Sequence, residues 1–240
     1  MKRRLKLNGV IVFLALLLLI IFPKVFMNKI KNLQLDTFLD VIGIAFILLG
    51  QLFRLSARGY KTQHSKEGQS LIQGGPYSVV RNPMYLGILL IGMGIVLMLF
   101  KWWVAAVLIL VFILRYILLM LSEEKKLTVL FPSEYPQYCK RVPRILPSLS
   151  TILKREVSEY LPVKLRWIKR EIGTILVVLL TVVFIELLRD ILSKGLIKGI
   201  RESSGMFMTI ALFIILVVYL NKKTVEAGEN ASDGKQDNKQ

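Results

Sequence analysis

The stretch GGPYSVVRNPMYLGILL, Gly74–Leu90, changes within a few positions from a polar turn to an apolar helix. Pro76 and Pro83 cannot donate backbone hydrogen bonds, and each biases the residue before it away from the helical conformation. Gly74 and Gly75 allow backbone conformations that other residues resist. The pattern predicts a tight loop that ends where Pro83 opens an apolar helix. A plain structural turn and a ligand-binding loop both fit it, so the rest of the chain has to decide between them.

The composition identifies the chain as a membrane protein. Of its 240 residues 54% are hydrophobic, and they come in long unbroken blocks. A soluble domain interrupts such blocks every few residues, whereas a membrane span needs about 17–25 mostly apolar residues. We therefore predict an all-α, polytopic membrane helix bundle of about six transmembrane helices. They are expected approximately at Asn8–Phe22, Leu35–Phe53, Met84–Phe100, Trp102–Leu121, Ile172–Leu188 and Ser203–Leu220, the last of which a re-entrant or tilted segment would also explain.

The distribution of Lys and Arg predicts the orientation and the division of the chain. If all six helices cross, one side carries roughly three times as many basic residues as the other, which places both termini and the two long polar loops in the cytoplasm. Residues 1–149 are expected to form a core of four transmembrane helices. Residues 150–220 are expected to form a basic interfacial segment followed by two further helices, and residues 221–240 a disordered tail.

The charge and the metal-binding residue types exclude several function classes. The net charge of +17 could suggest nucleic acid, but the basic residues flank the membrane spans, where the positive-inside bias and anionic lipid account for them. We therefore predict membrane lipids, and no nucleic acid, as partners. Cys139 and His64 are the only residues of their types, so we predict no metal site. The oligomeric state stays open.

A short connection between two predicted helices brings polar residues together. The third and fourth helices are joined only by Phe100-Lys101-Trp102, so they must form an antiparallel hairpin. This geometry places Arg81-Asn82-Pro83 at the start of one helix near Glu123 and Glu124 at the end of the other. Adjacent helical residues point to different sides, so at most one of the two carboxylates is expected to face the hairpin partner.

In order, GPYSVVRNPMYLG, the hairpin and EEKKLTVLFPSEYPQYCKRVPRILP resemble the isoprenylcysteine carboxyl methyltransferase and phospholipid methyltransferase superfamily. The resemblance implies a membrane enzyme whose S-adenosylmethionine pocket is formed by the last two core helices and a cytoplasmic cofactor-binding loop. It implies one pocket wall made of Gly75, Tyr77, Arg81, Asn82, Pro83, Tyr85 and Gly87. It also implies that Glu123 and Glu124 bind the polar part of the cofactor, and that a lid is closed by Tyr135, Tyr138 and Arg144.

Arg115 and Glu124 are the candidate catalytic residues. Arg115 lies inside the fourth predicted helix, where a charge at mid-bilayer costs about 2.5–3.5 kcal/mol on insertion scales, so it should face a cavity or a partner. Snorkelling to the membrane surface is the alternative. Because Arg115 precedes Glu123 by two helical turns on a similar face, contact with substrate or cofactor is expected.

The methyl acceptor is expected to be lipidic or a small hydrophobic molecule. A carboxylate, a phenolic oxygen or a thiol needs no strong base, whereas an amine does, and the candidate base, His64, lies in a polar loop. Two other functions stay open: an NADPH-dependent sterol-type reductase and a non-enzymatic lipid-binding scaffold. The reductases carry Asn-Tyr and Gly-Glu after the proline, where this chain has Met84–Ile88, which favours the methyltransferase. We expect a prokaryotic plasma membrane, with the active site on its cytoplasmic face.

Overall fold

A computed structural model of the chain describes residues 21–26, 33–65, 70–147 and 157–197. The helices are α1 (Pro23–Phe26), α2 (Leu33–His64), α3 (Pro83–Leu99), α4 (Trp102–Leu130), α5 (Glu134–Arg141), α6 (Val157–Tyr160) and α7 (Leu165–Lys194), with a 3-10 turn at Gly75–Ser78. The predicted all-α class is confirmed. Almost all of the predicted first helix, together with Ser203–Leu220 and the tail 221–240, lies outside the described residues.

Three helices of the described part of the chain are long and apolar enough to cross a membrane: Phe38–His64, Trp102–Leu130 and Glu171–Leu188. The apolar helix α3 is shorter, with 17 residues, which correspond to about 25 Å at 1.5 Å per residue. Large apolar side chains on α4 are exposed, with Leu114 64% and Leu118 71% accessible. Such a surface suits acyl chains rather than water. The four predicted helices that fall within the described residues thus correspond to α2, α3, α4 and α7.

Glycines hold α2 and α3 close together. Gly43 lies against Gly94 and Gly50 against Gly87, with a spacing of seven residues in both helices. A Cβ atom on Gly50 or on Gly87 would come within 2.6 Å of the carbonyl oxygen of the other. Small residues allow membrane helices to approach backbone to backbone. This contact fixes the first turns of α3, and with them the loop that precedes Pro83, against the middle of α2.

The predicted hairpin of α3 and α4 is confirmed. The Lys101 amide donates to the Phe26 carbonyl at 2.9 Å, and the ring of Trp103 lies 5.4 Å from that of Phe26. At the opposite end of the hairpin, Arg81 Nη1 lies 3.4 Å from Glu124 Oε2. The hairpin therefore brings the polar loop and the glutamate pair together at one end, as its short connection predicted.

Helix α4 is not a regular α-helix throughout. It is α-helical from Trp102 to Phe112, turns into a π-helix over Ile113–Ile117 and resumes as an α-helix from Leu118 to Leu130. A π turn inserts extra backbone and changes which residues share a face. Arg115 lies within this turn, so the regular α-helical spacing from which its alignment with Glu123 was predicted is interrupted there, and its contact with substrate or cofactor stays a prediction. The chain divides into two compact units, Met1–Val177 and Val178–Gln240, and the site described next belongs to the first.

Candidate active site

A cavity of about 410 Å³ lies where the end of α2, the start of α3 and the second half of α4 meet. Its size falls within the ordinary range of small-molecule sites, roughly 300–1,000 Å³. The side chains that line it include charges of both signs, aromatic rings and aliphatic groups. They are Lys61, Ser65, Ser70, Leu71, Ile72, Tyr77, Arg81, Asn82, Pro83, Met84, Tyr85, Ile88, Glu123, Glu124, Leu127, Leu130, Phe131, Tyr135 and Tyr138.

The loop before α3 is held by its own turn and by the segment after α5. Gly75 adopts a φ of +56°, which favours glycine, and a Cβ there would come within 2.7 Å of the Tyr60 ring. The Ser78 hydroxyl donates to the Gly75 carbonyl at 2.7 Å. The Arg81 amide donates to the Pro143 carbonyl at 2.8 Å. The loop is thus clamped at both ends, and this clamping sets the direction in which Arg81 points.

Glu124 is the centre of a charged network beneath the cavity. It is 9% exposed. Arg144 binds both of its oxygens, through Nε at 3.0 Å and Nη2 at 2.9 Å, and Arg81 Nη1 lies 3.4 Å away. The Asn82 amide donates to Glu124 Oε1 at 3.4 Å. Planar guanidinium groups suit such two-point contacts, and the hydrogen bond to Glu124 raises the pKa of Arg144. Glu124 therefore joins the loop, α4 and the segment after α5.

Glu123 occupies a different environment, although it is the adjacent residue. Its side chain is exposed, lines the cavity and accepts a hydrogen bond from the Tyr85 hydroxyl at 3.0 Å. Tyr85 belongs to α3, so both carboxylates reach the hairpin partner, and the expectation that at most one would do so was wrong. The long tyrosine side chain spans the angle that separates two successive helical positions. The result is one buried and one accessible carboxylate in a single site.

Two tyrosines close the cavity as neutral hydrogen-bond donors. The Tyr138 hydroxyl donates to the Tyr77 carbonyl at 2.7 Å, and the Tyr77 hydroxyl donates to the Ala57 carbonyl at 3.4 Å. Burial raises the pKa of Tyr77, and the nearby Glu123 raises it further. Burial likewise raises the pKa of Tyr138. Both hydroxyls therefore stay protonated and tie α5 and the loop to the end of α2.

Arg81 makes a second contact that sequence reasoning did not anticipate. Its Nη1 atom lies 2.8 Å from the Cys139 sulfur. Its Nε atom is buried and has no hydrogen-bond partner within the protein. A buried donor without an acceptor is costly, by about 1–3 kcal/mol. The guanidinium therefore retains a donor that a bound anion could satisfy.

The structure brings most of the predicted site residues to the cavity, while their binding roles stay predictions. Those that line it are Tyr77, Arg81, Asn82, Pro83, Tyr85, Glu123, Glu124, Tyr135 and Tyr138. Gly75, Gly87, Arg144 and Arg115 lie outside the lining. Gly75 and Gly87 serve close packing, against Tyr60 and Gly50 respectively. Arg144 contributes to the site indirectly, by donating a hydrogen bond to Glu124.

Sequence reasoning missed the part of the wall contributed by the end of α2 and the loop after it. Lys61, Ser65 and Ser70 line the cavity there. The predicted helix ended at Phe53, whereas α2 continues to His64. The missed signal was the absence of proline between Phe53 and His64, a stretch whose arginines and lysine had been assigned to a loop.

Comparison with known proteins finds a family match for this core. Residues 37–134 match the phospholipid methyltransferase family. The chain is 34% identical over 113 residues to the cobalt-zinc-cadmium resistance protein CzcN of Cupriavidus metallidurans, an alignment that covers 47% of this chain and 49% of that protein. The chain thus spans about half the length of this curated relative, and no solved structure matches it. Both matches agree with the motifs quoted above: residues 37–134 match the phospholipid methyltransferase family, which lies within the superfamily that those motifs predicted.

Proposed function

We propose that this protein transfers a methyl group from S-adenosylmethionine to a lipidic or small hydrophobic acceptor at the cytoplasmic face of a prokaryotic plasma membrane. The observation that carries the proposal is the convergence of Arg81, Glu123 and the tyrosines Tyr77 and Tyr135 on one cavity at the polar end of a membrane helix hairpin. The family match supports the methyltransferase reading over the reductase and the lipid-binding scaffold.

The residues of the cavity fit the chemistry of the cofactor. S-adenosylmethionine carries a carboxylate, an ammonium, a sulfonium and an adenosine. The unsatisfied Nε donor of Arg81 suits the carboxylate, and the accessible carboxylate of Glu123 suits the ammonium or the ribose hydroxyls. The rings of Phe131 and Tyr135 offer flat faces for the adenine or for a cation. When bound, the cofactor supplies an electrophilic methyl group.

The protein contributes orientation and exclusion of water. Glu124 holds Arg81 and Arg144 in fixed directions, so that Arg81 meets its ligand without reorganisation. Correct placement of two reactants is worth about 7–11 kcal/mol of barrier in favourable cases. Leu127 and Phe131 form an apolar side of the cavity that keeps water from the reacting atoms. We assign Glu124 this bracing function and Glu123 the direct contact.

The acceptor we favour carries an oxygen or a thiol rather than an amine. His64, the candidate base for an amine, stacks on Tyr60 at 3.9 Å between ring centroids, and its Nδ1 lies 3.0 Å from the Tyr60 carbonyl. It is not among the residues that line the cavity. The family description nevertheless names phospholipids, so an amine-containing lipid is the alternative that the acceptor assay must address.

The name of the curated relative concerns resistance to cobalt, zinc and cadmium. Within the described ranges of this chain, no three His, Cys, Asp or Glu side chains cluster. The acceptor we propose is therefore drawn from the cavity and the family, and not from that name.

Cofactor binding is tested by calorimetry on the detergent-purified full chain. We expect wild-type protein to bind S-adenosylmethionine in the micromolar range. Arg81→Ala should weaken binding by about 30-fold, because it removes a charge-assisted contact worth about 2 kcal/mol. Glu123→Gln should weaken it about tenfold. The matched control is Glu134→Gln, since Glu134 is exposed and outside the cavity lining. Folded wild-type protein that binds no S-adenosylmethionine but does bind NADPH would replace this proposal with the reductase.

The acceptor is identified with tritiated S-adenosylmethionine and a total lipid extract. Methyl esters release volatile methanol in alkali, whereas ethers, thioethers and methylamines do not. Label recovered as methanol would identify a carboxylate acceptor. Stable label on a phosphatidylethanolamine-type lipid would show an amine acceptor and refute our preference for an oxygen or a thiol.

A further inference from the structure

Residues 157–171 follow the family-matched range and contact the back of the loop before α3, residues 74–82, which we call the cofactor loop. We call residues 157–171 the strap; they comprise α6, a short connection and the first turns of α7. Tyr160 and Leu161 are 6% and 8% exposed and pack in one apolar cluster with Val79 and Val80, which are fully buried. Phe53 and Leu86 complete that cluster. The strap thus supports the loop directly, on the side away from the cavity.

The strap also packs against the last turns of α2. Glu171 is buried and pairs with Arg58 at 2.8 Å. Trp167 lies against Gly59 so closely that a Cβ on that glycine would overlap the ring. One turn further, Lys164 Nζ donates to the Gln63 side chain at 2.9 Å. These contacts follow one face of each helix, so they form a continuous seam.

The opposite face of the same α2 turns belongs to the cavity. Lys61 and Ser65 line the cavity, and Tyr60 lies against Gly75 at the start of the loop. The strap therefore holds two walls of the cavity at once: the end of α2 through Gly59 and its neighbours, and the loop through Val79.

We propose that the strap is a positioning element that fixes the cofactor loop in its binding conformation, with Leu161 and Trp167 as its main contacts. This inference rests on the proposed function for the identity of the ligand. If the loop visits other conformations, the observed dissociation constant rises in inverse proportion to the fraction of binding-competent loops. Packing against buried Leu161 keeps that fraction high, and Arg81, next to Val80, is held in place with it.

The test compares Leu161→Ala with Val163→Ala in the full-length protein. Val163 lies two positions away in the same strap but is 45% exposed, which makes it a matched control. Leu161→Met, which keeps the volume, is the rescue variant. The first measurement is amide hydrogen exchange of the loop residues 77–82 without ligand. The second is the dissociation constant for S-adenosylmethionine by calorimetry.

For Leu161→Ala we expect about tenfold faster exchange at residues 77–82 and an about tenfold higher dissociation constant, while Val163→Ala and Leu161→Met stay near wild type. Wild-type exchange in the loop of folded Leu161→Ala would overturn the proposal, and so would equal acceleration throughout α3 and α4, since that signals general loosening. Should Leu161→Ala not fold, Leu161→Val applies a smaller truncation to the same measurements. If the wild type bound no S-adenosylmethionine, the proposed function would fail, while the exchange data would still decide the role of the strap.

Discussion

The two adjacent glutamates allow one chemical change to be compared in two environments. Glu123→Gln and Glu124→Gln each remove one negative charge and keep the shape of the side chain. We expect Glu124→Gln to destabilise the protein strongly and Glu123→Gln to leave its stability nearly unchanged. For binding of S-adenosylmethionine we expect the reverse: Glu123→Gln should weaken binding more than Glu124→Gln.

The magnitude follows from the partners of Glu124. Arg81 is only 13% exposed at its side chain, so loss of the carboxylate leaves a cation without its main counter-charge. Breaking a buried ion pair from one side costs about 3–5 kcal/mol. Arg144 is 40% exposed and can turn to water, and glutamine keeps one acceptor, so we take the lower end, about 3 kcal/mol. For Glu123→Gln, Tyr85 can still donate to the amide carbonyl, and we expect a change within about 0.5 kcal/mol.

Thermal unfolding in one detergent, followed as the loss of the folded-protein peak on size-exclusion chromatography, measures this difference. At about 2–4 °C per kcal/mol for a chain of this size, Glu124→Gln should lower the midpoint by about 6–12 °C. Glu134→Gln is the control for the substitution itself, because Glu134 is exposed. Equal midpoints for the two glutamine variants would refute the assignment of Glu124 as the brace. If Glu123→Gln alone lowered the unfolding midpoint, Glu123 would be the brace and Glu124 the residue in direct contact with the cofactor.

Two further predictions concern packing and pH. Gly50→Ala or Gly87→Ala should cost about 1–3 kcal/mol, because the added Cβ would lie 2.6 Å from a carbonyl oxygen, whereas Gly173→Ala, which meets nothing within 4 Å, should be neutral or slightly stabilising in the same unfolding assay. Burial raises the pKa of Tyr138 and Tyr77 in the folded state, so their contribution to stability is complete below pH 10, the ordinary tyrosine value, and is lost as the pH rises beyond it. Unfolding midpoints measured between about pH 8 and 11.5 should therefore decrease once the pH exceeds 10. Tyr138→Phe should make that decrease shallower, and an unchanged slope would contradict the assignment.

That the polar loop and the glutamate pair meet at one end of the hairpin could be predicted, because it depends only on the lengths of the two helices and of their connection. Only Phe100 and Lys101 separate the end of α3 from the start of α4, so the two helices had to run antiparallel, and residues at similar distances from that turn had to meet. Arg81 lies 20 residues before Lys101 and Glu124 lies 23 residues after it, and the 3.4 Å between their side chains confirms the inference. The proline at the start of α3 fixed the bounds of that helix to within one residue, whereas α2 and α4 continue 11 and 9 residues beyond their predicted ends.

Features that depend on the register of a helix could not be predicted in the same way. The π turn at Ile113–Ile117 leaves no mark in hydropathy, because every face of that part of α4 is apolar except at Arg115. The Gly43–Gly94 and Gly50–Gly87 contacts had a detectable signal, the shared spacing of seven residues, but its meaning depends on which helices are neighbours. Gly87 was therefore assigned to the pocket wall on the strength of its motif alone.

The matched family range and the physical site do not coincide. The range 37–134 contains Arg81 and Glu124, the groups that carry charge at the site. The groups that hold these two in place come later in the chain: Arg144 binds Glu124, and Leu161 packs behind the loop. A charge is useful for binding only when its direction is fixed before the ligand arrives, since otherwise ordering it consumes part of the binding energy. Arg144 and Leu161 are therefore as much a part of the site as the motif itself, although they do not line the cavity.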